Sequence, residues 1–420
     1  MTDSAAPKRG LFFYGWVIVA ACLLVSLVVD GTRYSFGVFF SSLEAEFGWS
    51  RAATSGVFAA YMVLGSLFAI ISGWVVDRYG PKPVVVIMGV VTGTGLLLTS
   101  RVDQAWHLYI TYSLLLAAGT GGTYVVLMST GSKWFVRRRA TALGIIGSGS
   151  GLGAMAIALI AAQLISAYDW RAAFLGLAII LWAVVIPLAF LLKKGPRDIG
   201  ALPDGDRRPP AGDEEAETHH APVHFSLLEA LKTRSFWFFL MVWFSYSFSI
   251  HMVVTHVVPH AEDLGIAPVQ AAAVVSVVGA ASIPSRVALG IAADRVGRKW
   301  VGIACALTHT VAMVSLIFCK DVWSFYLFAV IYGIGYGGID PPIVAMIGDT
   351  FGLRQVGVIM GSMTVGWGLG AALGPYTAGA IFDARGSYTF AFMTAALIMV
   401  MAALLISRLD RPRLPPYHDT

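Results

Sequence analysis

The ten residues 73–82, GWVVDRYGPK, recur in altered form at 290–299 as GIAADRVGRK. Each copy has apolar residues on both sides, and the two copies are 217 positions apart. The same offset relates SGSGLG at 148–153 to VGWGLG at 365–370. A repeat of this length predicts a membrane protein built from two halves of like topology, as in transporters that rock one half against the other.

The composition is that of a chain that lies mostly in lipid. Hydrophobic residues make up 57% and charged residues 13%, and the mean hydropathy is +0.74. A membrane helix needs about 20 apolar residues, and an all-α bundle satisfies the backbone inside lipid. The sequence predicts twelve such helices, at 14–41, 51–77, 83–100, 107–131, 140–166, 170–193, 235–262, 266–293, 300–319, 323–350, 355–382 and 387–407.

The charges predict how these helices are oriented and where the halves divide. Of the 29 Lys and Arg residues, 22 lie in the termini and in the loops that lead from an even-numbered helix to an odd-numbered one. Five lie in the loops on the other side of the membrane. Because cytoplasmic loops carry the excess of basic residues, both termini are predicted to be cytoplasmic. The same bias accounts for the net charge of +5, which removes any need for a nucleic-acid partner. A polar stretch with Glu214, Glu215 and Glu217 predicts a division into residues 1–193, a linker 194–234 with an amphipathic segment at 225–232, and residues 235–420.

Three sequence features argue against other classes of protein. The three cysteines lie in apolar segments without metal-ligand or disulfide spacing, which predicts packing roles and no metal site. The basic residues before the first apolar run are not followed by a small-residue cleavage site, so that run is predicted to be retained as a helix. No nucleophile–base pattern or phosphate loop indicates an enzyme or a cofactor.

The paired Gly-x-x-x-Asp-Arg-x-Gly-x-Lys loops resemble the signature of the major facilitator superfamily, across both halves of the chain. The resemblance implies that Asp77 and Asp294 contact a neighbouring helix and hold the cytoplasmic side shut, with help from Arg78 and Arg295. An alternative is that they are simple turns held at the surface by positive charge.

A second stretch narrows the resemblance. Residues 133–144, KWFVRRRATALG, precede a glycine-rich run and look like the loop into helix 5 of monocarboxylate porters and of the related oxalate:formate exchangers. The first helix departs from the animal lactate porters, since FYGW at 13–16 has no acidic residue before it. Close helix packing explains the glycines equally well.

Arg286 is the clearest candidate for substrate binding. It lies eight residues before Asp294, about 12 Å inside its helix by the helical rise, and a charge at that depth is usually functional. The resemblance implies that this arginine is the ligand of a substrate carboxylate, which its planar fork suits. The alternative is that the side chain extends to the membrane surface.

Tyr124 and Asp340 each lie 17 residues into their predicted spans, so both are predicted to share a layer with Arg286. Asp340 precedes Pro341 and Pro342, which interrupt the helical hydrogen bonds. The carboxylate is therefore either a cavity residue or the cap of a kink.

The remaining candidates are weighed against structural roles. Asp30 and Arg33 are three residues apart and so able to pair on one helix face, either as an anion or proton site beside Tyr34 or as an internal ion pair. His251 and His256 are candidates for proton transfer or helix contacts. Asp263 is a rim residue or a proton entry point, and hydroxyls of the pocket are sought in Tyr332, Tyr336 and Tyr376.

Together these features predict a proton-coupled symporter of small monocarboxylates such as L-lactate. Arg286 would bind the acid, Tyr124 and Tyr336 would orient it, and Asp30, Asp340, Asp263, His256 or Arg33 would couple the proton. The predicted protein acts as a monomer in the bacterial inner membrane, with no cofactor beyond the proton. Alternatives are oxalate/formate exchange, drug efflux and a nutrient sensor. For the exchangers, the resemblance implies a second cation in the eleventh helix; residues 355–382 hold no Lys or Arg, which leaves Arg33 as the other candidate for that role.

Overall fold

The computed structural model describes residues 13–48, 51–206 and 224–409 and is almost entirely helical. Twelve helices in this part of the chain are long and apolar enough to span a membrane, which confirms the predicted fold class. We number them in chain order: α1 Gly15–Phe39, α2 Ala60–Tyr79, α3 Pro81–Thr99, α4 Trp106–Trp134, α5 Arg139–Ala167, α6 Trp170–Leu191, α7 Arg234–Asp263, α8 Pro268–Val296, α9 Arg298–Leu316, α10 Val322–Phe351, α11 Val356–Arg385 and α12 Thr389–Ser407.

Two helices depart from simple α-helical geometry. The regular part of α1 ends at Tyr34, and after Ser35 a second helical segment continues over Phe36–Phe47. In α4 the segment Tyr109–Leu116 is a π-helix, and a turn at 121–122 precedes the helix Thr123–Trp134. The apolar pattern of the sequence contains no mark of either irregularity.

The glycines of the duplicated loop make the turns that the sequence predicts. Gly80 has φ 83° and Gly297 has φ 118°, values that glycine adopts far more readily than residues with a side chain. Each ends one helix and begins the next, α2 to α3 and α8 to α9. Both turns lie on the face of the bundle where α6 ends and α7 begins, which we call the linker face.

Glycines also set the contact between the first six helices and the last six. A Cβ on Gly73 of α2 would lie 2.3 Å from the Gly357 carbonyl oxygen of α11, and one on Gly290 of α8 would lie 2.6 Å from the Ala140 carbonyl oxygen of α5. These separations leave no room for a methyl group. The pairs α2–α11 and α5–α8 therefore meet backbone to backbone near the linker face.

Residues 194–206 and 224–234 of the linker are described, whereas Glu214, Glu215 and Glu217 lie outside the described residues. Before that stretch, Asp204 accepts hydrogen bonds from the backbone N–H groups of Val136 and Arg137. After it, Ser226 and Glu229 form a capping box at the start of the short helix Leu227–Leu231. In this helix Leu228 is exposed and Ala230 is buried. The independence of the two six-helix units remains a prediction.

Candidate functional site

Arg286 lies between the two sets of six helices. Its side chain is only 8% exposed, and its Nη1 donates a 3.0 Å hydrogen bond to the carbonyl oxygen of Gly147 in α5. Gly147 is suited to this place because a Cβ there would lie 3.0 Å from that same nitrogen. Arg286 therefore points into the interface between the halves instead of extending to the membrane surface.

Asp340 and Tyr124 join Arg286 in one layer, as their depths in the sequence predicted. The Tyr124 hydroxyl donates a 2.7 Å hydrogen bond to Asp340 Oδ1, and Oδ2 of the same carboxylate is 4.0 Å from Arg286 Nη1. The carboxylate thus receives a hydrogen bond from the first half while it faces a cation of its own half. Asp340 is a member of this cluster rather than only the cap of the kink at Pro341.

Aromatic rings border the cluster. The guanidinium carbon of Arg286 is 5.4 Å from the ring centroid of Tyr336, within the range of a cation–π contact. The backbone of Tyr336 is held by Tyr246 of α7, whose hydroxyl donates to the Tyr336 carbonyl at 2.6 Å. Sequence reasoning missed Tyr246, although the alternating serines and aromatic residues around it, FSYSFS at 244–249, mark a polar helix face.

The pair predicted in α1 does not form. Asp30 is buried and accepts a 2.7 Å hydrogen bond from Ser26, whereas Arg33 lies among Tyr34 and Tyr61, with ring centroids 5.2 and 5.7 Å from its guanidinium carbon. Its Nη2 contacts the Met62 sulfur. The three-residue spacing permitted a pair, but Ser26 is one turn below Asp30 and supplies a closer donor.

Arg33 retains an unused hydrogen-bonding group. Its Nε is buried without a hydrogen-bond partner among the described residues. A buried N–H of a guanidinium left without an acceptor is costly. Arg33 is therefore a second cation within the spans that has capacity to bind an acceptor.

Five other predicted residues make no direct contact with Arg286 or Asp340 among the described residues, although the ring of one of them, Tyr332, stacks on Tyr336. His256 is bonded at both ring nitrogens, to the Tyr388 hydroxyl and the Pro375 carbonyl oxygen, which is a helix contact. Asp263 is an exposed final residue of α7. Tyr332 is fully buried against His309, and Tyr376 is 72% exposed. His251, one turn above Ser247, bonds back to that residue and is also a helix contact.

Asp77 holds α2 to α11. Its Oδ2 accepts a 2.9 Å hydrogen bond from the backbone N–H of Val358 in the first turn of α11, and its Oδ1 is 3.0 Å from Lys133 Nζ. A carboxylate at a helix start satisfies a free N–H and opposes the positive end of the helix dipole. The predicted helper Arg78 is exposed and stacks on Trp74 and Tyr79 instead.

Asp294 makes the equivalent contact between α8 and α5. It accepts from the backbone N–H groups of Ala140 and Thr141 at 3.0 and 2.7 Å and pairs with Arg298 at 3.1 Å. The predicted helper Arg295 is exposed. In the described part of the chain, neither the Arg78 nor the Arg295 side chain bonds to the helix that its aspartate contacts. Each arginine directly follows its aspartate and so points to another helix face, while Arg298 lies one turn further on.

A charge cluster that sequence reasoning missed reinforces this side. Asp349 of α10 bonds both to Arg139, which is buried at the start of α5, and to Arg298. Arg298 also donates to the Val136 carbonyl oxygen at 2.6 Å. All three charges were visible in the sequence, but nothing in their spacing links positions so far apart.

The hydrogen bonds between the halves run from the Arg286 layer to the linker face. They include those of Tyr124, Arg286, Asp77, Asp294 and Asp349 described above. On the opposite face, Tyr34 of α1 is half exposed. The structure is therefore closed at the linker face. The Arg286 cluster is the layer of contacts between the halves that lies farthest from this face.

Comparison with known families identifies the class of protein. The sequence profile described as Major Facilitator Superfamily matches residues 22–290 and 257–419. The chain is 25% identical to monocarboxylate transporter 13 of Bos taurus, covering 97% of this chain and 92% of that protein. It is 24% identical to the oxalate:formate antiporter of Oxalobacter formigenes, covering 96% and 94%.

Solved structures agree on the fold. The E. coli fucose:proton symporter FucP (N162A) superposes with a TM-score of 0.73 at 15% identity, covering 94% of this chain and 98% of that chain. A double tryptophan variant of XylE superposes with a TM-score of 0.78 at 14% identity, covering 94% and 95%. These relatives are transporters and not enzymes.

Proposed function

This chain belongs to the major facilitator superfamily, and on that premise we propose that it is a proton-coupled symporter of small monocarboxylates such as L-lactate. It is a multi-pass membrane transporter, with relatives among monocarboxylate transporters and an oxalate:formate antiporter. Arg286 is the proposed ligand of the substrate carboxylate, and Tyr124 and Tyr336 orient the acid. The linker face is assigned to the cytoplasm of a bacterial inner membrane, with both termini there and a monomer as the working unit.

The incomplete pairing of Arg286 carries this proposal. Among the described residues, its Nη1 is the one nitrogen with a hydrogen bond, to Gly147, and Asp340 remains at 4.0 Å. A carboxylate that approached from the open side would find the rest of the fork available. Two parallel charge-assisted hydrogen bonds are the geometry that guanidinium and carboxylate groups favour.

Asp340 is the preferred proton carrier. It is the carboxylate nearest to Arg286, and its negative charge repels an arriving anion. A substrate carboxylate that pairs with Arg286 leaves Asp340 without its cation, so the site gains from a proton on Asp340. The loaded layer then carries one cation and one anion, and the halves move without transferring unpaired charge through lipid.

Asp30 is the second choice for the proton, because it is a buried carboxylate of α1 that lies three residues before Arg33. Asp263 is exposed at the rim, and His256 is bonded at both nitrogens, so neither is as well suited. Arg33 acts in this scheme by holding the local potential positive for an entering anion.

The environment of Arg33 supports a second candidate function, the exchange of dicarboxylates such as oxalate for formate. Its buried Nε has no partner among the described residues, and a second carboxylate would supply one. With Arg33 in this role, a dianion would bind one arginine from each half. No basic residue of α11 is then needed.

The test is uptake of radiolabelled L-lactate into proteoliposomes with and without an inward proton gradient, with oxalate and formate as competitors. Gradient-driven accumulation that a protonophore abolishes is expected for symport. Exchange of external oxalate for internal formate, without stimulation by the gradient, would contradict symport and favour the second function.

Variants of Asp340 and Asp263 test whether Asp340 carries the proton, independently of substrate binding. Asp340→Asn is expected to abolish gradient-driven uptake while lactate/lactate exchange persists, since exchange does not need the proton to leave. Asp263→Asn, at the exposed rim, is the matched control and should behave as wild type. Normal gradient-driven uptake by Asp340→Asn would exclude Asp340 and move the assignment to Asp30.

A further inference from the structure

A cavity opens at the linker face, away from the Arg286 cluster. It has a volume of about 350 Å³ and is lined by residues of α1, the α4–α5 loop, α5 and the end of α8, among them Trp16, Arg138 and Arg295. This volume is within the range of small-ligand sites, about 300–1,000 Å³. It contains none of the residues that bind the acid or the proton in the proposed transport mechanism.

The charges of this cavity do not cancel. Arg137 is paired with Asp206, and Asp294 is occupied by the backbone of α5 and by Arg298. For the guanidinium groups of Arg138 and Arg295, the described part of the chain provides neither an ion pair nor a hydrogen bond. Two unpaired positive charges therefore face one concave space, which is suited to an anion with several oxygens.

The two arginines belong to different halves of the molecule. Arg138 lies at the end of the loop into α5 of the first half, and Arg295 is in the last turn of α8 in the second half. They share a cavity because Asp294 holds α8 against the start of α5. When the linker face opens, the two halves separate here, and one anion can no longer bind both groups.

The surroundings indicate that the anion comes from the membrane. Trp16 is in the first turn of α1, and Val296 and Trp300, which follow Arg295 in the chain, are 69% and 68% exposed. Tryptophan at a helix end is typical of the headgroup level of a bilayer. Exposed apolar side chains next to free arginines fit a lipid, whose chains and phosphate are joined, better than a small soluble ion.

We propose that the phosphate of an anionic phospholipid binds in this cavity, bridges Arg138 and Arg295, and thereby stabilises the state closed at the linker face. A ligand that binds one of two states shifts the equilibrium by its difference in affinity. The fraction of transporter closed at the linker face therefore depends on the anionic lipid of its leaflet. This lipid site is separate from the Arg286 cluster, and its occupancy does not depend on which acid is carried.

The first test counts retained lipid on the full-length protein by native mass spectrometry, in detergent with phosphatidylglycerol or phosphatidylcholine. The wild type is expected to retain phosphatidylglycerol preferentially. Arg138→Gln/Arg295→Gln should lower that retention by about tenfold or more, since each basic side chain near an anionic surface contributes about fivefold. The matched control is Arg78→Gln, the counterpart of Arg295 in the duplicated loop, which does not line the cavity. Equal retention by the double variant and the wild type would overturn the proposal.

The second test follows the linker face itself. A cysteine replacing buried Met128 in a cysteine-free background reports opening at this face through its rate of thiol labelling. Phosphatidylglycerol vesicles should slow labelling several-fold relative to phosphatidylcholine vesicles, and the arginine double variant should abolish the difference. Equal slowing by millimolar inorganic phosphate in phosphatidylcholine vesicles would overturn the lipid assignment, because a soluble anion would then suffice.

Discussion

At the scale of single residues, the cluster between the halves depends on three polar side chains that lie inside membrane helices. Arg286, Asp340 and Tyr124 stood out because polar groups are rare inside membrane helices, and the structure brings them within hydrogen-bonding and ion-pairing distance. The partners of Asp30 and Arg33 were missed. Spacing along a helix defines which residues share a face, whereas the choice of partner depends on neighbouring helices and on competing donors such as Ser26.

The fork of Arg286 is tested by Arg286→Lys, which keeps the charge and loses the planar donor pair. We expect uptake to fall by about ten- to a hundredfold, because a hydrogen bond to a charged group contributes about 1.5–3 kcal/mol. Initial uptake rates at equal protein incorporation provide the measurement. Unchanged uptake would remove Arg286 from the substrate site.

The hydroxyl of Tyr124 is tested by Tyr124→Phe. The variant leaves Asp340 without its 2.7 Å donor, and a buried acceptor that loses its partner costs about 1–3 kcal/mol. We expect a lower unfolding temperature of the purified protein. The same deletion of a hydroxyl at exposed Tyr376 is the control, and an equal effect of both variants would argue against a specific role for the Tyr124–Asp340 bond.

At the scale of elements, the twelve spans could be predicted because apolar length alone defines a membrane helix. The resemblance of the duplicated loop to the family signature also implied that Asp77 and Asp294 contact another helix, and each caps the start of a helix in the other half. The π-helical segment in α4 could not be predicted, since a π turn changes the hydrogen-bond register without changing the residue types. The ion pairs of Asp349 with Arg139 and Arg298 could not be predicted, because the three residues are far apart in the sequence.

The cap on α5 is tested by Asp294→Asn, which retains an oxygen but loses the charge. We expect the linker face to open more often, by about five- to thirtyfold, because a cap and its interaction with the helix dipole contribute about 1–2 kcal/mol. Thiol labelling of the Met128→Cys reporter measures this change. Asp263→Asn serves as the exposed control, and equal labelling of the two variants would contradict the role of Asp294.

At the scale of the whole molecule, the pseudo-symmetry was evident from the sequence, but the state of the transporter was not. The closed linker face follows from contacts such as Gly290 against Ala140 and Gly73 against Gly357. The sequence identifies these glycines as small residues in membrane helices and no more. Which face is closed depends on the relative position of the halves, and one sequence encodes both arrangements.

Closure is tested by Gly290→Ala, whose Cβ would lie 2.6 Å from the Ala140 carbonyl oxygen. We expect the added methyl to prevent the linker face from closing and to lower uptake by about tenfold, since overpacking costs about 1–3 kcal/mol. Gly279→Ala, in the same helix with open space around its Cβ, is the control and should transport normally. Normal transport by both variants would contradict the need for this close approach.

The two aspartate contacts have a consequence for how the chain is assembled. Asp77 binds Val358 and Asp294 binds Thr141, so each pair of partners is offset by 217 positions from the other pair. This reciprocity is the property of an isologous interface, in which two identical subunits use the same surface twice. The two halves should then bind each other without the covalent link between residues 194 and 234. Two polypeptides produced separately, one for each six-helix unit, are expected to associate and form the complete bundle.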